Sequence, residues 1–203
     1  AVRTLARSKG MVIAVSLSTG FAIAISLGTY SEMRMVFHAV PGIGDHGNLY
    51  TIQTSLSFPD YERYADPNGP FAAIAAYQGP VVFSIRRGGT TERVWGQIVT
   101  PDYFEVLKAP AVGGRTFSSG NEDAGRANVV ISEGHWQRHF GGSPDVIGQT
   151  LDINGLSATI VGVAARDFIG ASPLTSAAEM WISTNGDPRL APELTPDFLR
   201  SRI

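Results

Sequence analysis

Two histidines four residues apart, His135 and His139, are the residues in this chain whose type and spacing come nearest to chemistry. On a helix that spacing puts both imidazoles on one face, where they can share a metal ion. The zinc-hydrolase pattern also needs a glutamate directly after the first histidine, and here that position is Trp136. A third ligand would have to come from Glu133 or from a distant acid. The expectation is therefore two surface histidines beside a core tryptophan, with no metal ligand assigned.

Other candidates are weaker. Ser132 lies in Val130-Ile131-Ser132-Glu133-Gly134, which lacks the glycine two positions before serine that a nucleophile elbow requires. Asp60, Glu62 and Asp66 cluster in sequence, but acids at a helix start serve the cap and the dipole. The pairs Gly88-Gly89, Gly113-Gly114 and Gly141-Gly142 match neither GxGxxG nor a glycine-rich loop ending in Lys-Ser/Thr, so no phosphate cradle is expected. Trp95, Trp136 and Trp181 sit among apolar neighbours and are expected to pack. No catalytic residue, metal ligand or cofactor-binding residue is assigned, and the chain is not expected to be an enzyme.

The elements that would carry these residues are readable. Val129-Val130-Ile131 is a β-branched run and Ser132 can cap a helix from Glu133 to Phe140, with Trp136, His139 and Phe140 on one side. Gly141-Gly142 ends it, and Ser143-Pro144-Asp145 starts a single helical turn from Asp145 to Gly148. Asn154-Gly155 between two alternating runs predicts a two-residue type I′ hairpin pairing Ile153 with Leu156 and Leu151 with Ala158. That register puts Leu151, Ile153, Leu156, Ala158 and Ile160 on one sheet face.

Upstream, the runs 81–87 and 91–99 predict a second hairpin with a loop of about three residues at Gly88-Gly89-Thr90. Thr100-Pro101-Asp102 predicts a helix through Lys108 that turns Phe104 and Leu107 inward. Leu49 to Gln53 alternates like a strand, Ser57-Phe58-Pro59-Asp60 opens a short helix, and Phe71 to Tyr77 reads as a buried helix or strand. Residues 118–126 read as an exposed, polar loop and Glu179 to Ser183 as a last strand.

The 203 residues carry 43% apolar and 17% charged side chains, ordinary for a globular core, and a net charge of −2. Nothing suggests a phosphate-tracking basic surface, so no nucleic-acid partner is expected. The absence of cysteine excludes disulfides, thiolate metal sites and a thiolate nucleophile. Residues 10–31 contain no charged side chain, and as a helix such a run would reach roughly 33 Å, about the hydrocarbon thickness of a bilayer. Arg3, Arg7 and Lys9 precede it, which orients the N-terminus toward the cytoplasm and the residues after about 31 outside. A cleaved signal peptide competes with a permanent span, although its apolar region is usually only ~7–15 residues and Gly28-Thr29-Tyr30 is a poor cleavage site. A buried soluble helix is disfavoured because the apolar residues run all the way round.

The expected class is α+β: an N-terminal transmembrane helix, then a mixed α/β extracytoplasmic domain of β-hairpins and short helices. The divisions are 1–31 for basic lead and span, 32–56 for connector and first strand, 57–183 for the core domain, and 184–203 for a loop-like tail.

The chain resembles the MacB/FtsX-like family of bacterial ABC-type permeases, in the subgroup without a fused ATPase. The resemblance rests on the basic lead and span from Arg3 to Leu27, SFPDYERY from Ser57 to Tyr64, VTPDYFEVL from Val99 to Leu107, GGRTF from Gly113 to Phe117, and above all the run from Val129 to Ala164. It implies an N-terminal fragment of an inner-membrane permease subunit whose first helix leads into a MacB-like periplasmic core domain. Three further helices and half the outer domain would then be missing. It also implies lipid contact, a cytoplasmic ABC ATPase partner, and other permease segments or a second permease copy, in efflux, lipoprotein handling or signalling. The alternative from the residues is an exported soluble module that binds a ligand or partner after signal cleavage.

Overall fold

The computed structural model describes residues 15–26, 49–50, 58–66, 68–120, 123–171 and 177–190. The chain divides into two compact units, 1–39 and 40–203.

In the first unit, residues 15–26 form an α-helix, α1, and all twelve are exposed, including Val15, Leu17, Phe21, Ile23 and Ile25. Three of its hydroxyls turn back onto the helix: Ser18 and Thr19 both donate to the Val15 carbonyl, at 3.0 and 2.8 Å, and Ser26 donates to that of Ala22 at 2.8 Å. This internal satisfaction leaves an apolar outer surface. Among the described residues no helix is long and apolar enough to cross a membrane. The remainder of the expected 10–31 span lies outside the described residues.

The second unit is a seven-stranded mixed sheet with short helices. Its elements are α2 (Phe58–Tyr64), β1 (Tyr77–Arg87), β2 (Thr90–Val99), α3 (Tyr103–Val106), β3 (Ala111–Gly114), β4 (Asn128–Ile131), α4 (Glu133–Phe140), a 3₁₀ turn (Pro144–Val146), β5 (Thr150–Ile153), β6 (Leu156–Ala164) and β7 (Met180–Ser183). The strand order is β3-β6-β4-β7-β2-β1-β5, and β5 also pairs with β6. Six strands therefore close on themselves, and β3 adds to the far half of β6.

The closing seam is short. Only Ile85↔Ile153 and Arg86↔Asp152 pair across it, and Asn154 reinforces it by donating its N–H to the Ser84 carbonyl at 2.8 Å and accepting from the Ser84 N–H at 3.0 Å. Arg86 Nε donates to Asp152 at 3.0 Å on the outer face.

Closure follows from the β5–β6 hairpin, whose register is the one its sequence dictates: Ile153↔Leu156 and Leu151↔Ala158. Asn154 and Gly155 have φ of 54° and 85°, the left-handed pair a type I′ turn requires. Leu151, Ile153, Ala158 and Ile160 are buried in an inner core with Phe83, Ile85, Val94, Ile98, Met180 and Ile182. Trp136 and Phe140 of α4 pack against that core. The opposite face of the sheet holds a second, aromatic core of Tyr103, Phe104, Phe117, Phe168 and Trp181. Gln97 lies in its centre, where Oε1 accepts from Tyr103 Oη at 2.9 Å and from Trp181 Nε1 at 3.0 Å. Strand β2 serves both cores because Val94 and Ile98 point one way while Gln97 and Val99 point the other.

Several expectations are corrected. The β1–β2 loop is two residues, not three: Arg87 pairs with Thr90 and only Gly88-Gly89 turn, both at positive φ. The helix after Pro101 is four residues and stops before Lys108 because Lys108 takes a φ of 49°, yet Phe104 and Leu107 are buried as expected. Residues 71–76 form neither helix nor strand, and Phe71, still exposed, sets its ring edge-on to Tyr64. The segment 111–114, for which the sequence predicts no element, is a strand held by pairing to β6. Within the supposedly exposed 118–126 loop, Asp123 is 1% exposed. Its carboxylate receives two bonds of 2.8 Å from Arg115 and one of 2.6 Å from Asn128. The turn after Ser143 is 3₁₀ and covers Pro144–Val146. Leu49 and Tyr50 are not in a strand; the rest of that expected strand, 51–53, lies outside the described residues.

Candidate functional site

Helix α4 positions the histidines. Ser132 Oγ caps it by accepting from the His135 N–H at 3.1 Å, and Gly141, at a φ of 61°, ends it by donating to Gln137. Glu133 sits in the first turn and Arg138 and His139 in the last, the order that suits the helix dipole. Trp136 is fixed by its Nε1 donating to the Ser143 carbonyl at 2.8 Å.

His135 and His139 stack, with ring centroids 4.2 Å apart at 28°. The expectation of two surface histidines fails for His135, which is 2% exposed, and the His139 side chain is 24% exposed. The cause is tertiary, since strands β1 and β5 meet beneath the helix and leave a cleft of about 110 Å³ lined by Ile85, Arg87, Thr90, Glu92, His135, His139 and Leu151.

The distant acid is Glu179. Its Oε2 lies 3.0 Å from His135 Nδ1 and 2.6 Å from an Arg138 nitrogen. The residue is anchored at both backbone groups, donating to the Trp95 carbonyl at 2.7 Å and accepting from the Ser132 N–H at 2.9 Å. His135, His139 and Glu179 can each offer one ligand atom with all three atoms within 4.8 Å of one another. Glu92 Oε2 stands 3.7 Å from His139 Nε2. Arg87 packs over the Phe140 ring, 4.3 Å from its centroid, and donates to the His139 carbonyl.

Burial pushes the His135 pKa down; His139 and Arg138 push the same way, and the Glu179 hydrogen bond opposes them without prevailing. Burial thus favours the neutral ring, which facing a carboxylate donates its Nδ1 proton.

The other candidates are not brought together. Glu133 turns to Arg166, whose Nε is 3.2 Å away. Ser132 is a cap. Asp60 lies in the first turn of α2, as expected, while Asp66 accepts from the Asn68 N–H beyond its end. The glycine pairs 88–89 and 141–142 are turns, and Gly113-Gly114 lies in β3. Trp181 is fully buried and Trp136 packs, but Trp95 is 43% exposed, opposite Val82 on the outer face of the β1–β2 ribbon. Sequence reasoning missed Glu179 because its approach to α4 depends on the antiparallel β4–β7 pairing. Nothing local to Glu179 signals it.

The model for the MacB-like periplasmic core domain matches residues 10–197. The chain belongs to this family. It is therefore a MacB-like periplasmic domain of the ABC transporter permease kind. Among solved structures it is similar to the extracellular domain of the noncanonical ABC-type transporter YknZ from Gram-positive bacteria, at 15% identity over 75% of each chain and a TM-score of 0.51. The periplasmic region of MacB from Actinobacillus actinomycetemcomitans also aligns, at 14% identity over 83% of this chain and 86% of that one, with a TM-score of 0.46. The first likeness supports the fold. Comparison with curated proteins yields no match.

Proposed function

We propose that the chain is part of a permease subunit of a MacB/FtsX-like ABC transporter, with residues after about 31 on the periplasmic or extracellular side. In this reading its folded domain, 57–183, contacts partners and passes on conformational change without catalysis of its own. The observation that carries the reading is that the match to the family model begins at residue 10 and takes in the uncharged 10–31 stretch together with the folded domain. The helix at 15–26 supports it, since its side chains are exposed all round and the Ser18, Thr19 and Ser26 hydroxyls bond internally. Such a helix suits lipid, where backbone and hydroxyl groups must find partners within the segment.

The motion would be a hinge or shear displacement passed from the membrane helix to the sheet, which needs packing and no reacting group. The energy source would be a cytoplasmic ABC ATPase subunit, and other permease segments or a second copy would complete the membrane part.

The absence of cysteine makes the test clean. Ser157, exposed on β6, and Ser8, before the apolar stretch, are each changed to cysteine in the full chain. A membrane-impermeant maleimide applied to intact spheroplasts is expected to label Ser157→Cys, and to label Ser8→Cys only after permeabilisation. The opposite pattern refutes the topology. A mature N-terminus near residue 30 would replace it with an exported soluble module.

A further inference from the structure

The cluster beneath helix α4 has a composition that packing does not require. A buried imidazole, a half-buried imidazole and a carboxylate converge from two distant stretches of chain at the edge of an open cleft. We propose that His135, His139 and Glu179 bind one divalent first-row transition-metal ion, of the Zn²⁺, Co²⁺ or Ni²⁺ kind.

Four observations support this. At i and i+4 the two imidazoles lie on the same side of the helix, with one donor atom of each within 4.8 Å of the other and of Glu179, and the rings, stacked at 28°, turn about χ2 for both lone pairs to converge on one ion. The 3.0 Å between His135 Nδ1 and Glu179 Oε2 is close to the separation of two ligand atoms on one ion, given metal–ligand bonds of about 2.0–2.2 Å. The Glu179 backbone is held by hydrogen bonds to Trp95 and Ser132, and its carboxylate is turned toward α4 by His135 and Arg138. The donor set of two imidazoles and one carboxylate suits these metals, whereas Mg²⁺ and Ca²⁺ favour oxygen ligands alone.

Binding requires the neutral His135 ring to carry its proton on Nε2, which frees the Nδ1 lone pair for the ion. No net proton is gained or lost in that tautomer shift. Arg138, now paired with Glu179 Oε2 at 2.6 Å, is the competing cation, and Glu92 near His139 supplies a second negative charge at the cleft. The bound ion would tie α4 to the segment that enters β7.

The test uses the purified full chain, stripped with a chelator and titrated with Co²⁺ while its visible absorption is recorded, with Zn²⁺ as competitor. One saturable equivalent is expected. His139→Ala and Glu179→Gln should each weaken binding at least about tenfold, as loss of a ligand or of its support does. Changing His38 and His46 together to alanine should leave binding unchanged. Circular dichroism and thermal unfolding without metal establish that each variant is folded. His135→Ala is avoided because that side chain is buried. A second readout is the rise in melting temperature on adding Zn²⁺, expected in the wild type and absent in both ligand variants.

Three results would overturn the proposal: no saturable equivalent, binding that survives both ligand substitutions, or binding lost with His38 and His46. Loss in Glu92→Gln with retention in Glu179→Gln would overturn the ligand set.

Discussion

Replacing Gln97 by leucine tests whether the aromatic core depends on one buried acceptor. Gln97 is 2% exposed, and its Oε1 receives both the Trp181 indole N–H and the Tyr103 hydroxyl. Leucine is similar in length and apolar, so packing is nearly conserved while both donors lose their acceptor. Each stranded buried donor costs about 1–3 kcal/mol, so Gln97→Leu should destabilise the fold by roughly 2–5 kcal/mol, less any gain from no longer burying an amide.

Tyr103→Phe provides the second edge of the cycle. The hydroxyl accepts from the Ala171 N–H at 2.8 Å, so removing it strands that group as well. In the double variant the tyrosine donor is already gone when Gln97 is removed. The two losses should therefore sum to more than the double variant shows, by about 1 kcal/mol, within the range found for contacting residues. Urea unfolding followed by tryptophan fluorescence measures all four species, with an unchanged dependence on denaturant expected. A Gln97→Leu variant within about 0.5 kcal/mol of the wild type, or a strictly additive cycle, would refute the reasoning.

Two further outcomes separate structural from exposed roles. Trp181→Ala should lose about 3–5 kcal/mol because a fully buried indole leaves a cavity, whereas Trp95→Ala, from a 43% exposed position, should lose less than about 1 kcal/mol; equal losses in urea unfolding would contradict the packing described. Asp123 concerns acid stability. Burial alone would raise its pKa, but the hydrogen bonds from Arg115 and Asn128 and the charges of Arg115 and Arg126 outweigh burial and hold it below the usual carboxylate value. Its stabilisation is thus fully present above the unfolded value of about 3.9 and is lost as pH falls through the lower folded value. Asp123→Asn should flatten that acid limb of the stability curve, and an unchanged limb would show that the pair with Arg115 contributes nothing.

Legibility follows the range of the interaction that decides each feature. The helix 133–140 was readable to the residue because Ser132, the apolar side formed by Trp136 and Phe140, and Gly141 all act within one or two turns. The β5–β6 hairpin was readable because Asn154-Gly155 fixes both turn type and register. The short helix after Pro101 was overextended because local cap signals do not reveal that Leu107 must turn into the aromatic core, with Lys108 bending the chain. Asp123 looked solvated because its partners Arg115 and Asn128 matter only once β3 and β4 flank β6.

The capped helix, the hairpin register, the uncharged N-terminal stretch and the family resemblance are written in residue types at fixed short spacings. The closure of six strands on themselves, the division of two cores by β2 and the reach of Glu179 to His135 emerge with the folded sheet. The physical reason is that β-pairing is made between backbones far apart in sequence. A side chain such as Glu179 acquires its partner from where the strand it leads into is docked, and no local pattern encodes that docking.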